Sequence, residues 1–171
     1  MLSEEHKNIL AVISAIDKEC SAIQSGKNID RKFFIEAIDF IRNYADKFHH
    51  AKDEDILFKE MCKDTVHLHC NPIEQMLYEH DLGRNFVKAM ENALNSDNPK
   101  LLVDNALGYA QLLQEHIWKE DNVLYPMAED ALPDESKKYL LEKFKEIAET
   151  KLKKETIQRY LAIAKQFKNR E

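Results

Sequence analysis

A chain of 171 residues is the size of one domain and is long enough to bury a sizeable core. Three glycines, four prolines and 33% charged residues weigh against a β-sandwich and favour long helices, while a formal charge of -6 with no basic stripe argues against a nucleic-acid partner. No stretch approaches the ~20 apolar residues of a membrane span, and Glu4 and Glu5 make the N-terminus acidic where a signal peptide is basic, so a cytoplasmic protein with no membrane partner is expected.

Ser3 reads as the N-cap of a first helix that runs to Ser25 and is stopped by Gly26. On it His6 shares a face with Leu10 and Ile13. A second helix follows Asp30 and continues to about Lys63, carrying His49, His50, Asp53 and Glu54. The segment from Cys62 to Cys70 contains His67 and His69 at no standard zinc spacing and reads as an exposed loop. Cys20, Cys62 and Cys70 form no short-range framework and suit free thiols in a reducing compartment.

Asn71-Pro72-Ile73-Glu74 combines an N-cap, a proline at the first helical position and a capping-box glutamate, so a third helix begins there and ends near Asn95. Its apolar stripe of Ile73, Leu77, Val87 and Leu94 is interrupted by His80. Asn98-Pro99 starts a fourth helix that reaches about Ala131, bent near Pro126, whose missing N–H cannot bond the Asn122 carbonyl. Ala106, Tyr109, Leu113, His116, Glu120, Val123 and Met127 alternate three and four apart as its seam. A fifth helix fills Glu135 to about Lys168; Ile147, Leu161, Ile163, Ala164 and Phe167 give it an apolar face that needs a partner, either the bundle side or another protein chain. Lys151, Lys153 and Lys154, diluted by Glu149 and Glu155, read as a solvated face.

Positions four apart sit above one another on a helix, so His50 with Glu54 and His116 with Glu120 each aim an imidazole and a carboxylate at one point. Helix lengths test whether the elements can meet, at ~1.5 Å per residue. His6 lies 19 residues before the end of the first helix and His50 lies 19 after the start of the second; Glu54 is nine from the end of the second and His80 nine from Asn71. In an up-down-up-down four-helix bundle these side chains, with His116, fall within about two helical turns of one another. One buried histidine is ordinarily a core histidine satisfied by a carboxylate, but six ligand-type residues in one layer predict a metal site suited to iron, manganese or zinc. The expected architecture is all-α: one domain over residues 1–171, with a bundle over about 3–131 and an additional C-terminal helix over about 135–168.

Glu5-His6, the string FHHAKDEDILF ending at Phe58, MLYEHDLGR around His80 and EHIWKEDNVLYPMAE ending at Glu129 together resemble the hemerythrin-like (HHE cation-binding) domains. The resemblance implies a non-haem diiron centre, two iron ions with other divalent metals as substitutes, held by His6, His50, Glu54, His80, His116 and Glu120. Met76 stands where the oxygen carriers of the family place a further histidine, four residues before the one on the third helix. Asp121 competes with Glu120, which is favoured because it lies on the seam. At ~100° per residue His49 and Asp53 lie nearer the stripe of Ile38, Ile41 and Ala45 than His50 and Glu54 do, whereas the motif selects His50 and Glu54 because Glu54 precedes Ile56-Leu57-Phe58. The function so implied is binding or sensing of a small ligand such as dioxygen or nitric oxide. The alternatives are a diiron enzyme reducing peroxide or nitric oxide, and iron storage, delivery or iron-centre repair. Tyr109, two turns before His116, is the tyrosine expected to reach the metal pocket.

Overall fold

The computed structural model describes residues 1–63, 66, 72–150 and 152–170, and the described residues form helices and connections with no strand. In chain order the helices are α1 (Leu2–Gln24), α2 (31–61), α3 (Ile73–Asn95), α4 (99–131), α5 (Asp134–Thr150) and α6 (Lys154–Lys168). Three of the boundaries are set by local chemistry. The Asp30 carboxylate accepts the Phe33 N–H at 3.0 Å and opens α2, and the Asn98 side chain accepts the Leu101 N–H at 3.0 Å, with Pro99 next, to open α4. Gly26, at φ 99°, ends α1 by letting the Lys27 N–H return to the Ala22 carbonyl at 3.0 Å. α1 begins at Leu2 without a side-chain cap, so Ser3 lies inside the helix and is not its cap. Pro72 precedes α3 as its N-cap residue; Asn71, His67, His69, Cys70 and Lys151 lie outside the described residues.

α3 packs along α4, α4 along α1, α1 against α2 and α2 against α3, closing a ring around a core of aliphatic and aromatic side chains. No helix among the described residues is long and apolar enough to cross a membrane. Two stretches widen to π-helical geometry: most of α2 from Ile41 to Leu57, and Glu120–Leu124 in α4. An added residue per turn shifts the phase of everything beyond it. The seam of α4 therefore continues through buried Leu124 and Ala128, while Val123, expected on it, is 42% exposed.

The single C-terminal helix expected over 135–168 is two helices. Lys153 is extended at φ -59° and ψ 145°, and the chain breaks there. The break lets the two halves pack on different parts of the bundle. Broken, α5 covers the end that holds Leu57 and Tyr125 with buried Leu140 and Phe144, and α6 lies along α1 and α2. There Phe167 stacks on Phe33 at 4.6 Å, Tyr160 meets Phe40, and the Arg170 guanidinium bonds Asp30 at 2.6 Å. Because Phe167 is fully buried, Phe167→Ala is expected to lower unfolding stability in urea by about 3–5 kcal/mol while metal binding persists. A loss under 1 kcal/mol would show that α6 is not an integral part of the core.

Candidate metal centre

Two clusters of buried ligand-type side chains meet between α1, α2, α3 and α4. His50, His80 and His116 converge in one, and His6, His49 and Glu120 in the other, with ligand atoms within 4.8 Å of one another in each. The Nε2 atoms of His80 and His116 face each other at 3.0 Å, and those of His6 and His49 at 2.9 Å. Glu120 joins the clusters. Its Oε1 lies 3.3 Å from His116 Nε2 and its Oε2 3.1 Å from His6 Nε2. Asp53, fully buried, approaches His49 Nε2 with Oδ2 at 3.6 Å and accepts the Tyr125 hydroxyl on Oδ1 at 3.2 Å. Tyr125 also stacks on the His6 ring at 5.7 Å.

The outer nitrogens explain why the inner ones face inward. His6 Nδ1 donates to Asp121 at 3.0 Å, His49 Nδ1 to Glu5 at 3.0 Å, His80 Nδ1 to Glu54 at 2.6 Å and His116 Nδ1 to Glu79 at 2.8 Å. A proton fixed on Nδ1 leaves a lone pair on Nε2, the arrangement that orients metal-binding histidines. Three of those carboxylates are in turn held by a cation: Glu5 by Lys52, Glu79 by Lys119 and Glu54 by Arg84. Lys52 is completely buried, its ammonium 3.6 Å over the Phe48 ring. Burial pushes the Glu54 carboxyl up, but the His80 and Arg84 hydrogen bonds hold it below its usual range, and Glu5 is held down against burial by His49 and Lys52.

Two facing lone pairs 2.9 to 3.0 Å apart repel unless a proton or a cation lies between them. Two nitrogens ~2.1 Å from one ion and at right angles lie about 3 Å apart, so the spacing fits shared coordination. Asp53 and Glu120 pose the same problem. Both carboxylates are fully buried, and burial together with the Glu120 charge pushes Asp53 well above the carboxylate range. Asp53 Oδ2 and both Glu120 oxygens have no hydrogen-bond partner, three of the seven such buried side-chain atoms among the described residues, whereas His50 Nδ1 faces Asp46 Oδ1 at 3.7 Å. Orphaned polar atoms are rare and costly in a core, and their concentration here fits a site built for cations.

The structure brings together His6, His50, His80, His116 and Glu120 from the set expected on sequence. Glu54 is in neither cluster; its carboxylate binds His80 Nδ1 and Arg84. Asp121, weighed against Glu120, serves His6 Nδ1. His49, expected outside, stands in a cluster, so the two candidate pairs on α2 were never exclusive: His49 turns to His6 and His50 to His80, whose ring it overlies at 3.8 Å. That imidazole gives the His80 side a third nitrogen although Met76 stands one turn before it. The sequence carried a signal for these pairings in a repeat: Glu5-His6 with His49-x-x-Lys52-Asp53, and Glu79-His80 with His116-x-x-Lys119-Glu120. In each half the Glu–His pair of one helix interlocks with the His-x-x-Lys of another. Tyr125, read as core, touches the centre, and Tyr109 is buried with its hydroxyl unpartnered beside His50 and His80.

A family model described as the hemerythrin HHE cation-binding domain matches residues 1–128. Neither the curated proteins nor the solved structures yield a match.

Two outcomes follow. Asp53→Asn and His49→Ala are expected to lower the metal retained after dialysis to about half or less, whereas Glu54→Gln keeps the metal count and weakens affinity about 10–100-fold; metal analysis with a competing chelator measures both. Equal losses for all three would put Glu54 on the metal. In metal-free protein, burial pushes Glu79 up but His116 and Lys119 hold it down at about 2 against 4.5 in a free chain. Its stabilising contribution is therefore present above about pH 4.5 and is lost as pH falls towards 2. Urea midpoints of wild type and Glu79→Gln should differ most near neutrality and converge in acid.

Proposed function

The chain belongs to the family of hemerythrin HHE cation-binding domains, and from that premise we propose that it is a non-haem diiron protein that binds or senses a small ligand such as dioxygen or nitric oxide. The observation that carries the reading is the pair of clusters joined by one carboxylate, each Glu120 oxygen turned to a different one. His50, His80 and His116 would hold one ion, His6 and His49 the other, and Glu120 and Asp53 would lie between them. Imidazole and carboxylate without thiolate suit iron. The helix order supports an up-down-up-down four-helix bundle, since His6 and His80 lie five and eight residues into α1 and α3 while His49, His50 and His116 lie 19, 20 and 18 residues into α2 and α4. A cytoplasmic location belongs to the same reading.

Bound iron supplies an exchangeable coordination position and a one-electron change of charge. The chain's own residues do the rest. The carboxylates on the outer nitrogens of His6, His49, His80 and His116 keep those imidazoles in their ligating tautomer, and Lys52, Lys119 and Arg84 keep three of the carboxylates charged. Burial excludes water from the inner nitrogens. A second reading, reduction of peroxide or nitric oxide, is favoured by one contact: Tyr125 donates its hydroxyl to Asp53 and so holds a proton at the centre.

Protein reconstituted anaerobically with ferrous iron should hold two irons per chain by elemental analysis and give the spectra of exchange-coupled ferric ions on oxidation. One iron per chain with a mononuclear signal would overturn the diiron reading. A stable, reversible ligand complex supports binding or sensing, and rapid catalytic consumption of peroxide or nitric oxide supports the second reading.

A further inference from the structure

Five side chains around the three-histidine cluster are spaced four apart on two helices: Asp46, His50 and Glu54 along α2, and His80 and Arg84 along α3. That spacing keeps each set on one side of its helix, and Arg84 closes the two sets into a clasp. Its Nε and one terminal nitrogen donate to Asp46 Oδ1 at 2.9 and 2.7 Å, and the same terminal nitrogen donates to Glu54 Oε1 at 2.6 Å. Those oxygens are the ones turned to the imidazoles: Glu54 Oε1 accepts from His80 Nδ1 at 2.6 Å, and Asp46 Oδ1 lies 3.7 Å from His50 Nδ1. One guanidinium therefore stands behind two imidazoles of the cluster. Lys52, behind Glu5 and His49, and Lys119, behind Glu79 and His116, each stand behind one.

The clasp is the half-open part of the outer network. Asp46 and Glu54 are 27% and 26% exposed, against 12% and 4% for Glu5 and Glu79. An outer cleft bounded by Asn43, Lys47, Glu54 and Leu152 and an inner cavity of ≈ 120 Å³ that reaches His50 and His80 both have Asp46 and Arg84 in their walls. A polar space of that size holds several waters, and the Tyr109 hydroxyl, buried and unpartnered, faces it. The passage therefore admits an ion that keeps part of its hydration. Charge favours a cation there, because three carboxylates, Asp46, Glu54 and Asp81, share one guanidinium, while Lys47 turns to Asn43 at 3.3 Å. Asp81 is exposed and takes the remaining Arg84 nitrogen at 2.9 Å. It gives the fork an outward partner on which to pivot when the other two carboxylates let go.

We propose that Arg84 is a positioning residue for His50 and His80 and the latch on metal exchange at their cluster, the ion entering and leaving past it between Asp46 and Glu54. The inference rests on the cation-binding reading of the centre and adds a route and a control to it. Closed, the guanidinium fixes both carboxylates against their imidazoles, and its charge opposes an approaching cation. Swung out to Asp81, it uncovers two carboxylates at the cleft that can take up the ion, replace part of its water and pass it to the imidazoles they flank. On the other cluster the corresponding cation, Lys52, is completely buried against Glu5 and the Phe48 ring.

Zinc exchange tests the latch without redox chemistry. Protein loaded with Zn²⁺ and mixed with an excess of chromogenic chelator releases its ions in phases, and the phase missing in His50→Ala belongs to the three-histidine cluster. In Arg84→Gln that phase should run about tenfold faster or more, the scale on which loss of an outer partner loosens a metal-ligating histidine. Uptake of Zn²⁺ by metal-free Arg84→Gln should quicken as well, and the other release phase should not change. Arg84→Lys keeps the charge without the fork and should fall between the two. Arg42→Gln removes a different link between α2 and α3, the fork on Glu91 at 2.7 Å, and should leave both phases as they are. If Arg84→Gln speeds both phases alike, if Arg42→Gln matches it, or if uptake slows, Arg84 only braces the bundle and the inference fails. Should Arg84→Gln not fold, Arg84→Lys decides, and release at the wild-type rate overturns the latch. One zinc per chain that is lost in His50→Ala would overturn the dinuclear reading alone, its rates still deciding the latch; one zinc that His50→Ala retains would overturn both.

Discussion

The structure depends on fixing the proton of each imaginable ligand imidazole on its outer nitrogen. Only then does the inner nitrogen carry a lone pair, and four of the five clustered imidazoles have a carboxylate placed to take the outer proton. Each such carboxylate brings a charge towards the core, and stranding it would cost several kcal/mol. Lys52, Lys119 and Arg84 answer three of these charges. The network thus extends outward in layers: imidazole, carboxylate, cation, and for Lys52 the Phe48 ring. The inward side stays unbalanced, with facing nitrogens and two buried carboxylates that only protons or cations can reconcile. That imbalance is the physical content of a cation-binding domain.

Helix spans were legible because their punctuation is local. Asp30, Asn98-Pro99 and Gly26 act within one turn of themselves, and the structure uses each as the sequence suggests. Phase was not legible in the same way. A wheel drawn at one fixed angle made His49 and His50 competitors and extended the α4 seam to Val123, but the π-helical stretches change the angle where the ligands lie. Ser3 looked like a cap, although the chain was already helical at Leu2. The break before Lys154 has no glycine or proline to announce it; the two halves pack on different parts of the bundle, and that is a tertiary property.

The ligand layer was partly legible for a related reason. Counting residues from helix ends placed His6, His50, His80 and His116 at one level, since rise per residue hardly depends on angular detail. Which carboxylate faces inward does depend on it. Glu54 and Asp53 are adjacent, as are Glu120 and Asp121, and one member of each pair enters the centre while the other stays nearer solvent. The repeated Glu-His and His-x-x-Lys pattern would have separated them, because it fixes both the inner and the outer partner of an imidazole at once.

The two clusters are built alike and finished differently. Both have interlocked Glu–His and His-x-x-Lys contributions, but one ends in a third imidazole and an unpartnered tyrosine facing a cavity, and the other in Asp53 and a tyrosine already engaged. The C-terminal helices follow this division. α5 brings Leu140 and Phe144 to the groove shared by Leu2, Leu57 and Tyr125, so apolar surface lies over the finished side. α6 keeps to α1 and α2, and among the described residues beyond α4 the cleft at Arg84 is lined by Leu152. α5 thus adds apolar cover beside Tyr125, on one of two halves that already differ in their ligand-type side chains.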